Sequence, residues 1–256
     1  MNISLYTLGC KLNQAETEEL KKDLVERGFF VVPFDSNENI AIIRACGVTC
    51  KASQTTREMI RRIKRKNTYV IAMGCLENKD LPEIDFVGKN NNQVLEHLDK
   101  NYSPVKNNIP QIDDVTPKKT RSFIKIQTGC NFKCAYCIIS TLRGKAISDS
   151  VEAVVKKVNR AITDGYKEIV LTGVNICQYK SENTDLAGLL KIILQKTTIS
   201  RIRLGSLDPR LITNELISVY NKNKDRLLPH WHLSLQSGSD NILKQMGRGY
   251  TAKHYQ

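Results

Sequence analysis

Histidine is scarce in this chain, with 4 residues among 256, and tryptophan scarcer still at 1. No apolar run approaches the roughly 18 residues of a membrane-spanning helix, so no such helix is expected. The opening Met-Asn-Ile-Ser-Leu-Tyr-Thr lacks the basic and apolar regions of a secretory leader. Acidic residues are few: 26 against 39 Lys and Arg leave a net charge of +13. That balance favours a polyanionic partner. Neither internal repeats nor low-complexity segments stand out. The rest of the composition, 41% hydrophobic and 25% charged, is that of a globular chain long enough to bury a full core. What is abundant is cysteine. Without a leader, 8 cysteines speak for metal or redox chemistry in a cytoplasmic protein rather than for disulfides.

Cys130, Cys134 and Cys137 stand in the run Gly-Cys-Asn-Phe-Lys-Cys-Ala-Tyr-Cys, directly after a strand-like stretch at 122–128. Three thiolates on one loop can hold three irons of a cubane [4Fe-4S] cluster, which normally takes four. No fourth cysteine lies close by, so the fourth iron stays open. A radical S-adenosylmethionine (SAM) enzyme needs that opening, because the amino acid end of SAM chelates the free iron. A zinc site would ask for a fourth Cys or His at finger spacing. His97, His230, His232 and His254 all lie far from the loop in sequence. Inert thiols rarely fall at this spacing.

Alternating strand-like and helix-like segments predict an α/β chain in two parts. In the first, strands at 3–8, 40–45, 69–73 and 84–87 alternate with helices at 14–28, 54–67 and 94–100, a doubly wound parallel sheet. Residues 103–120 hold Pro104, Pro110 and Pro117 without apolar periodicity and read as a linker between domains at 1–102 and 121–256. The second part places strands at 123–127, 168–172, 201–204 and 232–235, with helices at 151–163, 186–196 and 212–220. A last helix begins near Thr251. Repeated βα units with the cysteine loop after the first strand predict a partial (β/α) barrel with its chemistry at the C-terminal rim. Arg57, Arg61, Arg62, Lys64, Arg65 and Lys66 crowd one face of the predicted helix at 54–67. Met59, Ile60 and Ile63 remain to face a core. A solvated helix face would explain this cluster alone; with the global charge it becomes a candidate nucleic-acid contact.

Cys10, Cys46 and Cys75 each follow a predicted strand. In a parallel sheet the loops leaving the C-terminal ends converge on one edge, where open α/β sheets bind ligands. Single buried cysteines are common in cores, but three at equivalent positions point to a second cluster. These residues carry a resemblance to the radical SAM methylthiotransferases. The opening Thr-Leu-Gly-Cys-Lys-Leu-Asn-Gln-Ala-Glu-Thr is similar to the branch acting on N6-threonylcarbamoyladenosine in tRNA. Phe-Ile-Lys-Ile-Gln-Thr-Gly-Cys at 123–130, Glu-Ile-Val-Leu-Thr-Gly-Val-Asn at 168–175 and His-Leu-Ser-Leu-Gln-Ser-Gly-Ser-Asp at 232–240 extend the likeness over nearly the whole chain.

The resemblance implies two [4Fe-4S] clusters, with SAM as methyl donor and radical source. Cys130, Cys134 and Cys137 would ligate the SAM-cleaving cluster, and Cys10, Cys46 and Cys75 an auxiliary cluster that carries or supplies sulfur. A 5′-deoxyadenosyl radical would activate C2 of a modified adenosine beside the anticodon. Expected partners are tRNA and a low-potential electron donor, with no membrane. Tyr136 would pack near the SAM adenine, and Asn175, Ser206, Ser234 and Gln236 would hydrogen-bond SAM from strand ends. Arg57, Arg61, Arg62, Lys64 and Arg65 would contact RNA.

The chain departs from the family pattern at several points. Arg44-Ala45 precede Cys46 where Asn-Thr is usual, and Cys50 and Cys177 are additional thiols. Ile147-Ser148-Asp149 replace a run with two cations. The ending at Gln256 is expected to cut short the barrel and an RNA-binding β-barrel. Two other readings stay open. One is a methylthiotransferase for isopentenyladenosine in tRNA or for a ribosomal-protein residue. The other is a truncated, non-catalytic iron–sulfur or zinc RNA-binding protein.

Overall fold

The computed structural model describes residues 1–76, 83–102 and 120–256. It divides into two compact units, Met1–Lys118 and Lys119–Gln256. The stretch read as a linker lies, except for Thr120, outside the described residues.

The first unit is a parallel sheet of β1 (Asn2–Thr7), β2 (Phe30–Val32), β3 (Ile40–Cys46), β4 (Tyr69–Cys75) and β5 (Phe86–Gly88), in the order β2-β1-β3-β4-β5. Central β3 reads Ile-Ala-Ile-Ile-Arg-Ala-Cys, nearly apolar throughout, because both its faces are covered. Ile40 and Ile42 pack with Leu20 and Leu24 of α1 (Lys11–Glu26) and with Val94 and Leu98 of α3 (Asn91–Asn101). Ala41, Ile43 and Ala45 face Ile60 and Ile63 of α2 (Cys50–Lys64) on the other side. Each fully buried Ile here contributes about 1.5–3 kcal/mol. The chain therefore winds to both faces, and the strand order reverses between β1 and β3. At such a switch point the flanking loops part and leave a crevice at the C-terminal edge.

The expected strands and helices of this unit are present with shifted ends. β2 is an addition: three residues at a sheet edge carry too little pattern to read. α2 begins at Cys50 rather than 54, because Thr49 caps it by accepting a hydrogen bond from Ala52 N at 3.2 Å. It ends at Lys64, and Asn67 turns the chain away in the left-handed region at φ 56°.

The second unit opens with β6 (Ser122–Lys125), β7 (Gln127–Thr128), α4 (Ile139–Arg143), β8 (Ile147–Ser148), α5 (Val151–Thr163) and β9 (Glu168–Thr172). A hairpin of β10 (Lys180–Ser181) and β11 (Thr184–Asp185) leads to α6 (Leu186–Lys196), β12 (Arg201–Leu204), β13 (Ser206–Leu207) and α7 (Asn214–Lys222). The chain finishes with β14 (His232–Leu233), α8 (Asp240–Gln245) and α9 (Ala252–Tyr255).

Strands β6, β9 and β12 are parallel neighbours, and β13 pairs in parallel with β14. Among the described residues these strands form an incomplete wall and no closed barrel. Val154, Val158 and Ala161 of α5 and Leu189, Leu190 and Ile193 of α6 seal the wall against Ile169, Leu171, Ile202 and Leu204. Ser150 and Asp185 cap those helices through Ala153 N and Gly188 N, at 3.2 and 2.9 Å.

Candidate functional site

In the second unit the loop after β7 holds Cys130, Cys134 and Cys137, and the backbone fixes it from several sides. Cys130 N donates to Gly144 O at 3.0 Å, and Cys137 N closes a turn on Cys134 O at 3.0 Å. Gly129 sits at φ 73°, and a Cβ there would stand 2.0 Å from Lys145 O, so any side chain would displace the Gly144–Lys145 backbone. Buried Gln127 gives its Nε2 to Thr128 O and Gly129 O at 2.8 and 2.6 Å. Its Oε1 accepts from Val174 N and Asn175 N, both at 3.1 Å. One side chain thus ties the start of the cysteine loop to the loop after β9.

Two donors aim at the sulfurs. Gln178 Nε2 lies 3.4 Å from Cys130 Sγ, and Arg248 Nη1 lies 3.5 Å from Cys134 Sγ. Arg248 Nη2 also meets Asp208 Oδ2 at 3.3 Å, and Asp208 holds Arg210 by two bonds of 2.8 and 2.7 Å. Burial opposes ionisation of Asp208, yet hydrogen bonds from Arg210 and the charges of Arg210 and Arg248 keep its carboxyl below the usual range. Burial likewise opposes the Arg248 charge, but Cys134, Tyr250 and Asp208 outweigh it and hold the guanidinium protonated. Sequence reasoning missed Gln127, Gln178, Asp208, Arg210 and Arg248. The only local signal was the Gly-Arg-Gly-Tyr run around Arg248.

The expected SAM contacts are dispersed along one rim. Asn175, Ser206 and Ser234 lie at or just beyond the C-terminal ends of β9, β12 and β14, which parallel pairing puts on the side of the cysteine loop. Asn175 is buried, and its Oδ1 has no hydrogen-bond partner among the described residues, as a ligand-facing acceptor would. Ser206 pairs in register with His232. Ser234 O accepts from Tyr250 Oη at 2.9 Å. Gln236 is exposed at φ 67°, and the Tyr136 ring is half exposed. Cys177 is no part of this set: it packs against the core, accepts from Asp208 N at 3.4 Å, and burial pushes its thiol up to about 11.

In the first unit Cys46 and Cys75 are register partners at the ends of β3 and β4. Cys10 follows β1 and caps α1 without a side-chain bond. Gly9, at φ 95°, approaches so closely that a Cβ would stand 3.0 Å from Cys46 Sγ. Asn13 Nδ2 bridges Leu8 O and Ala45 O at 2.7 and 3.0 Å, locking the β1 exit onto β3. The topology thus brings the three thiols to the switch-point edge, where the N-termini of α1 and α2 favour negative charge. Cys75 is buried, and Cys10 and Cys50 are exposed.

Of the basic residues, Arg62 and Lys66 pair with Asp35, and Lys64 pairs with Asp85 at 2.8 Å. Arg57, Arg61 and Arg65, spaced by one turn, remain as a stripe without a described ion pair.

Among the described residues no three His, Cys, Asp or Glu side chains converge to hold a single metal ion. A cubane takes one thiolate per iron and so accepts sulfurs that are spread apart. The donor sets of three thiols, with N–H groups aimed at two sulfurs of one triad, fit a cluster.

Comparisons with known proteins agree with this geometry. The Radical SAM superfamily matches residues 124–256, and the uncharacterized protein family UPF0004 matches residues 2–95. The second unit is therefore a radical SAM unit in sequence as in fold. The threonylcarbamoyladenosine tRNA methylthiotransferase MtaB of Aquifex aeolicus is 33% identical over 100% of this chain and 68% of its own length. The MtaB of Thermotoga maritima is 33% identical over 97% of this chain and 61% of its own length. A tRNA-2-methylthio-N(6)-dimethylallyladenosine synthase of Thermodesulfovibrio yellowstonii is 32% identical over 99% of this chain and 63% of its own length. The chain belongs to the radical SAM methylthiotransferase family, and it spans about 60–68% of the length of its relatives. In fold it is similar to the radical SAM methyltransferase TsrM of Kitasatospora setae, with a TM-score of 0.68 at 12% identity over 99% of this chain and 64% of that one. No described helix is long and apolar enough to cross a membrane.

Proposed function

We propose that the chain is a tRNA methylthiotransferase that acts on N6-threonylcarbamoyladenosine at C2, with SAM as methyl donor and radical source. The observation that carries the reading is the pair of cysteine triads, one at the C-terminal edge of the first unit's parallel sheet and the other on the loop after β7, beyond the C-terminal end of parallel β6. When bound, the clusters and SAM supply the electron, the sulfur, the methyl group and the carbon radical. The protein's part is placement. Gln127 and Gly129 fix the loop that presents Cys130, Cys134 and Cys137, and Gln178 and Arg248 stabilise thiolate charge on two of those sulfurs. Asn175 offers a buried acceptor to a polar group of SAM. Cys10, Cys46 and Cys75 would hold the auxiliary cluster, near the N-termini of α1 and α2. The Arg57, Arg61 and Arg65 stripe meets tRNA phosphates, and a low-potential donor supplies electrons.

Anaerobic reconstitution tests this reading. Two cubanes correspond to about eight irons per chain, together with reductive release of 5′-deoxyadenosine. Four irons or fewer, or zinc without SAM cleavage, would overturn it. Relatives named for dimethylallyladenosine at 32% and 31% identity support a second reading of the substrate. Nucleoside analysis of tRNA from cells with and without the protein separates the two.

A further inference from the structure

We propose that Arg248 is a positioning residue for the Cys134 sulfur and raises the reduction potential of the cluster that the Cys130–Cys134–Cys137 loop holds. The inference rests on the cluster assignment above and extends it to a residue that the sequence left unremarked.

Four observations carry it. The Arg248 side chain is only 7% exposed. Its fork is divided, with Nη1 on Cys134 Sγ at 3.5 Å and Nη2 on Asp208 Oδ2 at 3.3 Å. Asp208 is shared: it also takes both arms of Arg210, whose guanidinium stacks 3.5 Å over the ring of Phe132, between Cys130 and Cys134 in the loop. Finally, the segment carrying Arg248 is fastened to the loop, since Ala135 N donates to Met246 O at 3.1 Å and Gly247 packs near Lys133 and Cys134.

The charge balance gives these interactions their meaning. Two guanidiniums share one carboxylate, the only one bonded to either among the described residues, so the group carries one net positive charge. A buried unpaired cation is costly, and the group that answers it is the sulfur Arg248 points at. A thiolate bound to a cluster supplies that negative charge. One-electron reduction adds another, so a fixed N–H donor with a positive charge favours the reduced form. Gln178, on Cys130, offers a donor without the charge.

The test uses the full chain with C10A, C46A and C75A, so that one cluster remains, reconstituted anaerobically and titrated with a low-potential reductant under EPR. R248M removes every donor, and R248K keeps the charge but cannot fork. In R248M the reduced-to-oxidised ratio at fixed potential is expected to fall about tenfold, a shift of about 59 mV to more negative potential for one electron. R248K should lie between R248M and the parent. Equal potentials in all three proteins would overturn the proposal. If R248M loses its iron, R248K decides: a lowered potential supports tuning, and the parental potential leaves Arg248 a purely structural role and overturns it. A parent that binds no cluster would overturn this proposal together with the assignment beneath it, whereas unchanged potentials in iron-loaded proteins overturn this proposal alone.

Discussion

At Arg44 a buried guanidinium answers a buried carboxylate. Its side chain is 4% exposed, meets Glu16 Oε2 at 3.0 Å and also reaches Thr17 Oγ1 and Asn91 Oδ1, joining β3 to α1 and α3 beside the Cys46 edge. The residue that broke the family pattern in sequence is therefore a strut. R44M would take the buried guanidinium away from Glu16 and Thr17, at a cost of about 3–5 kcal/mol, read as a lowered urea midpoint with an unchanged slope. Asp208 predicts a pH dependence. Its folded pKa is held below the unfolded value of about 3.9. Its stabilisation is thus complete above that value and is lost as pH falls through the folded one. D208N should be less stable at pH 7, by about 1.5–3 kcal/mol, with the gap closing below roughly pH 4. A gap that is independent of pH in denaturation experiments would refute the assignment.

Helix α2 shows how an element can be legible for its type while the pairing of its surface charges is not. Its core face of Ile60 and Ile63 was legible from spacing, but the six cations looked equivalent. Asp35 and Asp85, distant in sequence, pair with three of them and offset two of those three charges. The R57A/R61A/R65A protein should therefore lose tRNA affinity, and its salt dependence should flatten by about one unit of log–log slope for each phosphate it no longer neutralises. An R62A/K64A protein should change less; a larger effect there in filter-binding titrations would contradict the stripe. Elsewhere, α5, β9, α6 and β12 matched their sequence expectations to the residue, because apolar periodicity ends at local caps such as Ser150 and Asp185. The placement of Cys10, Cys46, Cys75 and the Cys130–Cys137 loop after strands was legible from spacing and apolar pattern. Asp208, Arg210, Gln178 and Arg248 were not, since their partners lie far away along the chain and no local pattern records such a pairing.

For the whole molecule, the division into two units, each with its own core and its own triad, predicts independent iron loading. Chains carrying C10A/C46A/C75A or C130A/C134A/C137A should each retain about four irons. Complete loss in either one, measured by iron and sulfide analysis, would show that the triads cooperate. The fastening of the cysteine loop by the Met246–Arg248 segment also has a consequence in time. Arg248 lies 114 positions after Cys134, and a ribosome adding about 5–20 residues per second makes it about 6–23 s later. Throughout that interval the nascent loop stands without its cation and without the Met246 anchor. Cofactor delivered during synthesis meets an open loop; cofactor delivered afterwards meets one already strapped down.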